Sequence, residues 1–272
     1  MASATAGTAA FDARAAAFGG YGWVTRPNRD AVMAFTFPVE VAQVAVVQGQ
    51  AVKEGDLLVR ARDGEAAASL EVQRVRAENS ATVANARAGL ELAAIRLAAA
   101  RRAQAESAMT AQEFEERRLG HVAAEAGLAN ALSTQNEEQK RLVQMQEQVQ
   151  RYRLLARFDG IVDMISAEPG QGVDINQPVV RIVNVDPLWV DVPTPVDETL
   201  RLDLKVGAPA WVLLDVPAER AGSGTVRGRV LSVASTTDAA GTRRVRVELP
   251  NPELLPAGLR AQVRFTADAA KQ

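Results

Sequence analysis

The strongest constraint on this chain is an ungapped internal repeat at an offset of 121 residues. Each copy contains a β-branched run, a glycine turn, a short strand, a second turn and another apolar strand, a pattern typical of short β-strands. Neither copy is long enough to bury both of its faces, so we expect the two to pack as one flattened β-sandwich or barrel. The matched positions are Val41 with Val162, Val44 with Ile165, Gly49 with Gly170, Gln50 with Gln171, and Val52 with Val173.

Glycines mark the turns in both copies. Gly49 and Gly170 occupy matching positions of the repeat, and we expect both to have backbone angles poorly suited to a side chain. Gly55 and Gly160 are assigned as further structural turns, one in each copy.

The two copies are separated by residues 64–156, which contain no proline and are rich in Ala, Glu, Gln, Arg and Leu. These residues favour helix. Both ends of the insertion must return to one β-domain, which predicts two antiparallel helices of nearly equal length with a turn near residue 110. Thr110-x-x-Glu113 is a capping box for the second helix and places its start at the same point. Arms of about 44 residues would reach roughly 65 Å.

Apolar residues in the insertion follow a heptad spacing, which predicts a thin coiled coil instead of a broad helical core. On the second arm the polar stretch 133–141 interrupts the pattern. The predicted first seam is Val83, Ala86, Leu90, Ala93, Leu97 and Ala100; the second is Leu119, Val122, Ala126, Ala129, Leu142, Met145, Val149 and Tyr152.

The C-terminal part alternates apolar runs with Gly and Pro turns. This pattern predicts a small antiparallel barrel, completed by an N-terminal strand near residues 21–24, with a short helix at 196–202. The predicted strands begin at Leu188 and continue at about 208–216, 225–236, 242–249 and 259–266.

Composition excludes several kinds of function. The formal net charge of −2 gives no basic field for nucleic acid. There is no cysteine, and the single histidine, His121, is expected to lie solvated on a helix surface. Methionines are scattered, so a copper- or silver-binding cluster is not expected. We therefore assign no catalytic, cofactor-binding or metal-binding residues. The sequence has no run of 18 apolar residues, so no membrane-spanning helix is predicted.

Four segments resemble signatures of the haemolysin D-like periplasmic adaptors, or membrane fusion proteins: Val44–Val59, Leu155–Val162, Pro187–Val190 and Leu249–Leu259. The resemblance covers about residues 24–267 and implies an elongated α+β fold. In it a lipoyl-like β-sandwich is split by a long antiparallel α-helical coiled-coil hairpin and followed by a small antiparallel β-barrel. The expected parts are a disordered segment 1–20, a barrel strand 21–34, the first lipoyl half-motif 35–63, the hairpin 64–156, the second half-motif 157–186, the barrel 187–267 and a tail 268–272.

By analogy, the chain would act as the adaptor of a tripartite efflux or secretion pump in the periplasm. It would bridge an inner-membrane transporter (resistance-nodulation-division or ATP-driven) and an outer-membrane channel, without enzymatic activity, and self-associate as a trimer or hexamer. It would associate with the inner membrane, through a leader or anchor that this sequence lacks. The hairpin tip would dock the channel, and its expected residues are Ser107, Met109, Thr110, Gln112, Glu113 and Phe114.

The sequence departs from the family pattern at the tip and at Arg157, where the family has proline. Ala99 and Ala103 occupy the positions where many members carry arginine and leucine, respectively, for channel docking. Two alternatives remain: a lipoyl- or biotinyl-type carrier and a coiled-coil scaffold unrelated to transport. A carrier needs its modified lysine at a short hairpin that the helical insertion replaces, while Lys53 lies in a glycine turn. The internal repeat argues against a plain scaffold.

Overall fold

The computed structural model describes residues 4–216 and 225–265, with the side chains of residues 4–9 left out. The chain divides into two compact units, one formed by residues 1–38, 44–59 and 155–272 and the other by residues 39–43 and 60–154. The helices are α1 (Ala4–Phe18), α2 (Gly64–Glu78), α3 (Ala81–Ala105), α4 (Ala111–Gln150) and α5 (Val196–Arg201). The strands are β1 (Tyr21–Met33), β2 (Val39–Val44), β3 (Ala51–Val52), β4 (Leu57–Ala61), β5 (Arg153–Leu155), β6 (Gly160–Ile165), β7 (Gly172–Val173), β8 (Val180–Pro195), β9 (Pro209–Leu214), β10 (Thr225–Val233), β11 (Thr242–Leu249) and β12 (Arg260–Phe265).

Six strands close into the antiparallel barrel that the C-terminal pattern predicts. Their order is β1-β12-β9-β10-β11-β8, and pairing of β1 with β8 closes the ring. Alternate residues of each strand point inward, as the period of two requires. The inward residues with at most 1% exposure are Leu188, Val190, Val192, Ala210, Val212, Leu214, Val230, Val245, Val247, Leu249, Ala261 and Val263. The N-terminal strand is present as β1, which pairs with β12 near its start and with β8 as far as Met33.

The two copies of the repeat have the same backbone hydrogen bonds. Ala45 N donates to Leu58 O at 2.8 Å, and 121 residues later Ser166 N donates to Val179 O at 2.8 Å. Similarly, Gln50 and Gln171 accept, through their side-chain oxygens, the amides three residues before them at 3.0 and 2.9 Å. β3 pairs with β6, and the order of the second sheet is β5-β4-β2-β7. The repeat therefore corresponds to two copies of one β-motif, which together form the lipoyl-like part.

Gly49 and Gly170 have positive φ angles of 84° and 87°, the left-handed conformation that was expected for them. Gly55 also has a positive φ, of 90°. Gly160 is constrained in another way, because a Cβ there would lie 2.6 Å from the Val183 carbonyl oxygen. At this fourth position the strands approach too closely for a side chain.

The insertion forms a helical hairpin whose first arm is broken. α2 ends at Glu78, and α3 begins at Ala81, whose backbone N–H donates to the Asn79 side chain at 3.0 Å. The second arm, α4, runs for 40 residues without interruption, a length of about 60 Å. The break shifts the inward-facing stripe by one residue, since Val83 follows Ala77 by six positions where the heptad spacing requires seven. The residue pattern of the insertion did not predict this break.

The seam of α3 was predicted correctly, whereas the seam of α4 was partly wrong. On α3 the buried or half-buried residues are Val83, Ala86, Leu90, Ala93, Leu97 and Ala100, as expected. On α4 the predicted residues Leu119, Val122, Ala126 and Ala129 are exposed. The observed α4 seam is His121, Ala124, Leu128, Ala131, Gln135, Glu138, Leu142, Met145 and Val149. It passes through the polar stretch 133–141 without a gap, and His121 is half-buried, contrary to the prediction of a solvated histidine.

Residues 1–20 were expected to be disordered, but residues 4–18 form helix α1. Its sequence is mostly alanine, the strongest helix former. Phe11 is buried, and Phe18 O accepts a hydrogen bond from Arg264 Nη1 at 3.4 Å. The guanidinium carbon of Arg264 also lies 4.8 Å from the centre of the Phe18 ring. These contacts attach α1 to β12 of the barrel.

Candidate functional site

The hairpin turn is formed by residues 106–110. The last turn of α3 is closed by hydrogen bonds from Ser107 N to Gln104 O at 3.0 Å and from Ala108 N to Ala103 O at 2.8 Å. Ser107 has a positive φ of 56°, which lets the chain leave the helix in the manner of a helix C-cap. The tip is therefore an ordered turn whose backbone amides are largely satisfied within the turn itself.

A capping box starts α4 at the predicted residues. Thr110 Oγ1 accepts from Glu113 N at 3.2 Å, while Glu113 Oε2 accepts from Thr110 N at 2.9 Å and from Thr110 Oγ1 at 2.7 Å. The backbone and side-chain hydrogen bonds from Thr110 lower the pKa of the Glu113 carboxyl. The polar atoms of both side chains are therefore engaged in capping the N-terminus of α4.

The remaining predicted tip residues differ in exposure. Ser107 and Gln112 are exposed, whereas Met109 and Phe114 are half-buried. Exposed Ala108 and Ala111 lie on either side of Thr110. The groups that remain open to a partner are therefore the Ser107 hydroxyl, the Gln112 amide and the small alanine surfaces, with part of Met109 and Phe114.

A second apolar stripe lies on the outside of the hairpin. Leu119, Val122 and Val143 of α4 are 47–56% exposed, and Leu92 and Ile95 of α3 are 48% and 61% exposed. On α4 the stripe keeps a heptad spacing through residues 119, 122, 126 and 129. An α-helix with two heptad stripes can contact two neighbours at once. The heptad pattern identified the α4 residues of this stripe but predicted that they face the other arm, which is wrong.

A polar layer forms part of the inner seam near the base of the hairpin. Gln73 is buried, and its Nε2 donates to Glu138 Oε2 at 2.7 Å and to Glu138 O at 3.0 Å. Arg141 Nη1 also donates to Glu138 Oε1 at 2.7 Å. These bonds satisfy the polar groups that the seam buries, which explains how it continues through residues 133–141.

Metal-binding clusters and membrane-spanning helices are both absent from the residues the structure describes. No group of three or more His, Asp or Glu side chains there is placed to hold a metal ion. Within 4–216 and 225–265, no helix has both the length and the apolar character to cross a membrane.

No protein-family model matches the chain, and no curated protein matches it in sequence. Solved structures do match. MacA from Actinobacillus actinomycetemcomitans aligns with a TM-score of 0.67 and 15% identity, over 90% of this chain and 76% of MacA. The membrane fusion protein Spr0693 from Streptococcus pneumoniae R6 aligns with a TM-score of 0.60 and 15% identity, over 91% of this chain and 98% of Spr0693.

A third match is a MacA–MexA chimera that contains the Pseudomonas aeruginosa MexA α-hairpin domain. It aligns with a TM-score of 0.54 and 15% identity, over 91% of this chain and 81% of the chimera. Identity at this level carries the fold and no residue-level role. The alignments cover the six-stranded closed barrel, the lipoyl-like repeat and the helical hairpin that is inserted in the repeat. This chain therefore has the membrane fusion protein fold.

Proposed function

We propose that this chain is a periplasmic adaptor of a tripartite efflux or secretion pump. The observation that carries the proposal is the combination of a barrel, a split β-motif and a 40-residue hairpin helix in one chain, matched over about nine-tenths of its length by membrane fusion proteins. The role is assembly, without catalysis. Its partners are an inner-membrane transporter, of the resistance-nodulation-division or ATP-driven type, and an outer-membrane channel, and it works in the periplasm next to the inner membrane.

The hairpin tip is the proposed contact with the channel. Residues 106–110 form an ordered turn, and Ser107, Ala108, Ala111 and Gln112 are exposed around it. Because Thr110 and Glu113 are occupied by the capping box, they support docking by fixing the shape of the tip. Ser107 and Gln112 supply free hydrogen-bonding groups, and the alanines allow close approach of another helix.

The outer stripe supports self-association. Leu119, Val122, Leu92 and Ile95 expose apolar surface at heptad spacing on both arms. Helices with an inner and an outer stripe pack side by side into arrays, each contacting two neighbours. Hairpins of neighbouring copies would therefore pack through these residues within a trimeric or hexameric assembly. Each side chain buries little area, so the chain alone in dilute solution should be monomeric.

The carrier alternative remains testable through Lys53. This lysine lies in the turn between β3 and β4, where its backbone amide donates to Asp56 Oδ2 at 2.8 Å. A lipoyl or biotinyl adduct on the intact protein, detected by mass spectrometry, would support the carrier function. An unmodified mass from cells that lipoylate and biotinylate their own carriers would oppose it.

Cysteine crosslinking tests the adaptor proposal, because the chain has no native cysteine. Single cysteines at Ala108 and Ala111 should crosslink to the outer-membrane channel in cells that contain the cognate pump. Cysteines at Ala94 and Ala129, which are also exposed but lie along the arms, serve as matched controls. Crosslinks to the channel only from the arm positions, or from none of the four, would contradict docking at the tip.

A further inference from the structure

The loop between β11 and β12 holds an exposed leucine in an unfavourable conformation. Leu254 is 52% exposed and has a positive φ of 51°. A branched apolar residue is uncommon in this region of φ/ψ space, where glycine and asparagine are preferred. Neither burial nor backbone preference accounts for a leucine here, which raises the question of what it contacts.

A buried asparagine fixes the conformation of this loop. Asn251 is 3% exposed, and its Nδ2 donates to Val185 O at 2.8 Å and to Leu255 O at 2.9 Å. Its Oδ1 accepts from Leu255 N at 3.0 Å, and its backbone N–H donates to Asp186 Oδ1 at 2.9 Å. Because four hydrogen bonds hold Asn251, the loop is rigid and presents Leu254 to solvent in a fixed position.

Leu254 borders a cleft of about 500 Å³, a size suited to one or two side chains of a partner. Most of its lining is apolar: Pro27, Ile161, Val162, Val183, Val185, Leu254, Pro256 and Ala257. The glycine turn at Gly49 forms another wall, with Gln48 beside it. A rigid, mainly apolar cleft with an exposed leucine at its edge has the form of a peptide-recognition pocket.

A cluster of one guanidinium and two carboxylates lies at one side of the cleft: Arg181 and Asp163 line the cleft, and Asp30 lies behind them against Arg181. Arg181 donates to Asp30 through Nε at 2.9 Å and Nη2 at 2.6 Å, and its Nη1 lies 3.2 Å from Asp163 Oδ2. Hydrogen bonding to Arg181 lowers the pKa of Asp30. One guanidinium faces two carboxylates, and Asp163, 45% exposed, remains able to accept from a further cation.

We propose that this cleft is an interaction surface for a protein segment that presents a branched apolar side chain followed by a basic one. The apolar side chain packs between Leu254 and Val185, and the basic group pairs with Asp163. This surface is separate from the hairpin tip and from the outer stripe, and the inference does not depend on which pump the chain serves.

Methyl NMR of the full chain provides the test. The probes are two synthetic peptides, Gly-Ser-Leu-Leu-Lys-Ser-Gly and its counterpart with Glu in place of Lys, both capped at the ends. Titration with the lysine peptide should shift the methyl signals of Ile161, Val183, Val185 and Leu254. The glutamate peptide should bind about fivefold more weakly, because it exchanges an attractive charge for a repulsive one.

Two variants sharpen the result. Asp163→Asn should remove most of the difference between the peptides, and Leu254→Gly should weaken both peptides while leaving the melting temperature unchanged or higher, since glycine suits the positive φ. Leu200→Ala, which shortens an exposed leucine outside the cleft, should change nothing. Three outcomes would overturn the proposal. The first is equal binding of both peptides, and the second is the absence of shifts at millimolar peptide. The third is a concentration-dependent shift of these methyls without peptide, which would indicate a second copy in the cleft.

Discussion

The barrel and the hairpin bury apolar residues in different ways. Twelve barrel side chains are at most 1% exposed, whereas the hairpin helices bury few residues, several of them alanines: Gln73, Ala77, Val83, Leu97, Ala100, Ala131 and Val149. The barrel closes on itself and completes its own core. The hairpin has only one seam and leaves a second stripe in solvent, so its surface is better explained by contacts with other molecules.

Core truncation should produce the largest contrast between the two regions. Leu188→Ala removes a fully buried barrel side chain and should cost about 4 kcal/mol, while Leu97→Ala in the hairpin should cost about 2 kcal/mol, because its alanine neighbours provide fewer contacts. All three tryptophans, Trp23, Trp189 and Trp211, lie in barrel strands, so their fluorescence reports the barrel and circular dichroism at 222 nm reports the hairpin. Equal costs would remove the distinction.

Glycine substitutions compare turns with helices. Gly49→Val and Gly170→Val place a β-branched residue at a positive φ and should each destabilise the β-domain by about 2 kcal/mol. Gly120→Val and Gly127→Val lie inside α4, where nothing within 4 Å obstructs a Cβ, and should change stability by less than about 0.5 kcal/mol. The free energies of unfolding from urea titrations provide the comparison. If the helical substitutions were the more harmful, the split-repeat assignment would lose its support.

The capping box predicts a pH-dependent hairpin. Thr110→Ala should cost about 1 kcal/mol of hairpin stability. Because the pKa of Glu113 is lowered from its ordinary value of 4.5, its contribution is present above about pH 4.5 and is lost as the pH falls through the lower folded-state pKa. Thermal melts at 222 nm between pH 3 and pH 7 should show this loss in the native chain but not in Glu113→Gln. The same pH profile in both proteins would refute the assigned linkage.

Changes in the outer stripe should have the smallest effect on stability. Leu119→Ser combined with Val122→Ser replaces exposed side chains and should alter the unfolding free energy by less than about 0.5 kcal/mol. Self-association in the assembled pump should nevertheless weaken, as measured by crosslinking between copies. Leu90→Ser on the inner seam of α3 is the control and should destabilise the hairpin. Unchanged crosslinking in the double variant would show that the stripe is not a contact.

The sequence predicted the barrel and the repeat well because both depend on alternation of valines and leucines, a local pattern with period two. It also placed the hairpin turn correctly, because Thr110 and Glu113 are specific to a helix start. It predicted Leu142, Met145 and Val149 of the α4 seam correctly but failed at residues 119–129, because two heptad patterns two residues apart compete there. Leu119 and Val122 are the more hydrophobic, but the arms approach through Ala124 and Ala131, whose small side chains allow closer packing.

Other features depend on contacts that no local pattern reveals. The pairing of Gln73 with Glu138 joins residues 65 positions apart, so the polar stretch 133–141 was interpreted as a gap in the seam. At the break at residues 79–80, one Asn side chain caps the start of α3, and the heptad register shifts by one residue. The docking residues at the tip remain a prediction, since partner contacts cannot be inferred from the free chain.

The split of the β-motif also has a kinetic consequence. Its halves meet only after the chain ends of the insertion are brought together, as by the hydrogen bond from Ala61 N to Tyr152 O at 2.8 Å. For a flexible connection of about 90 residues, the length-dependent closure entropy costs about 4 kcal/mol; for a five-residue turn it costs about 1.4 kcal/mol. If the hairpin instead forms outward from the turn at residues 106–110, only the smaller closure entropy of the short turn has to be overcome. The helices should therefore form before the β-motif closes. Refolding followed by stopped-flow circular dichroism and tryptophan fluorescence would reveal this order, and simultaneous signals would refute it.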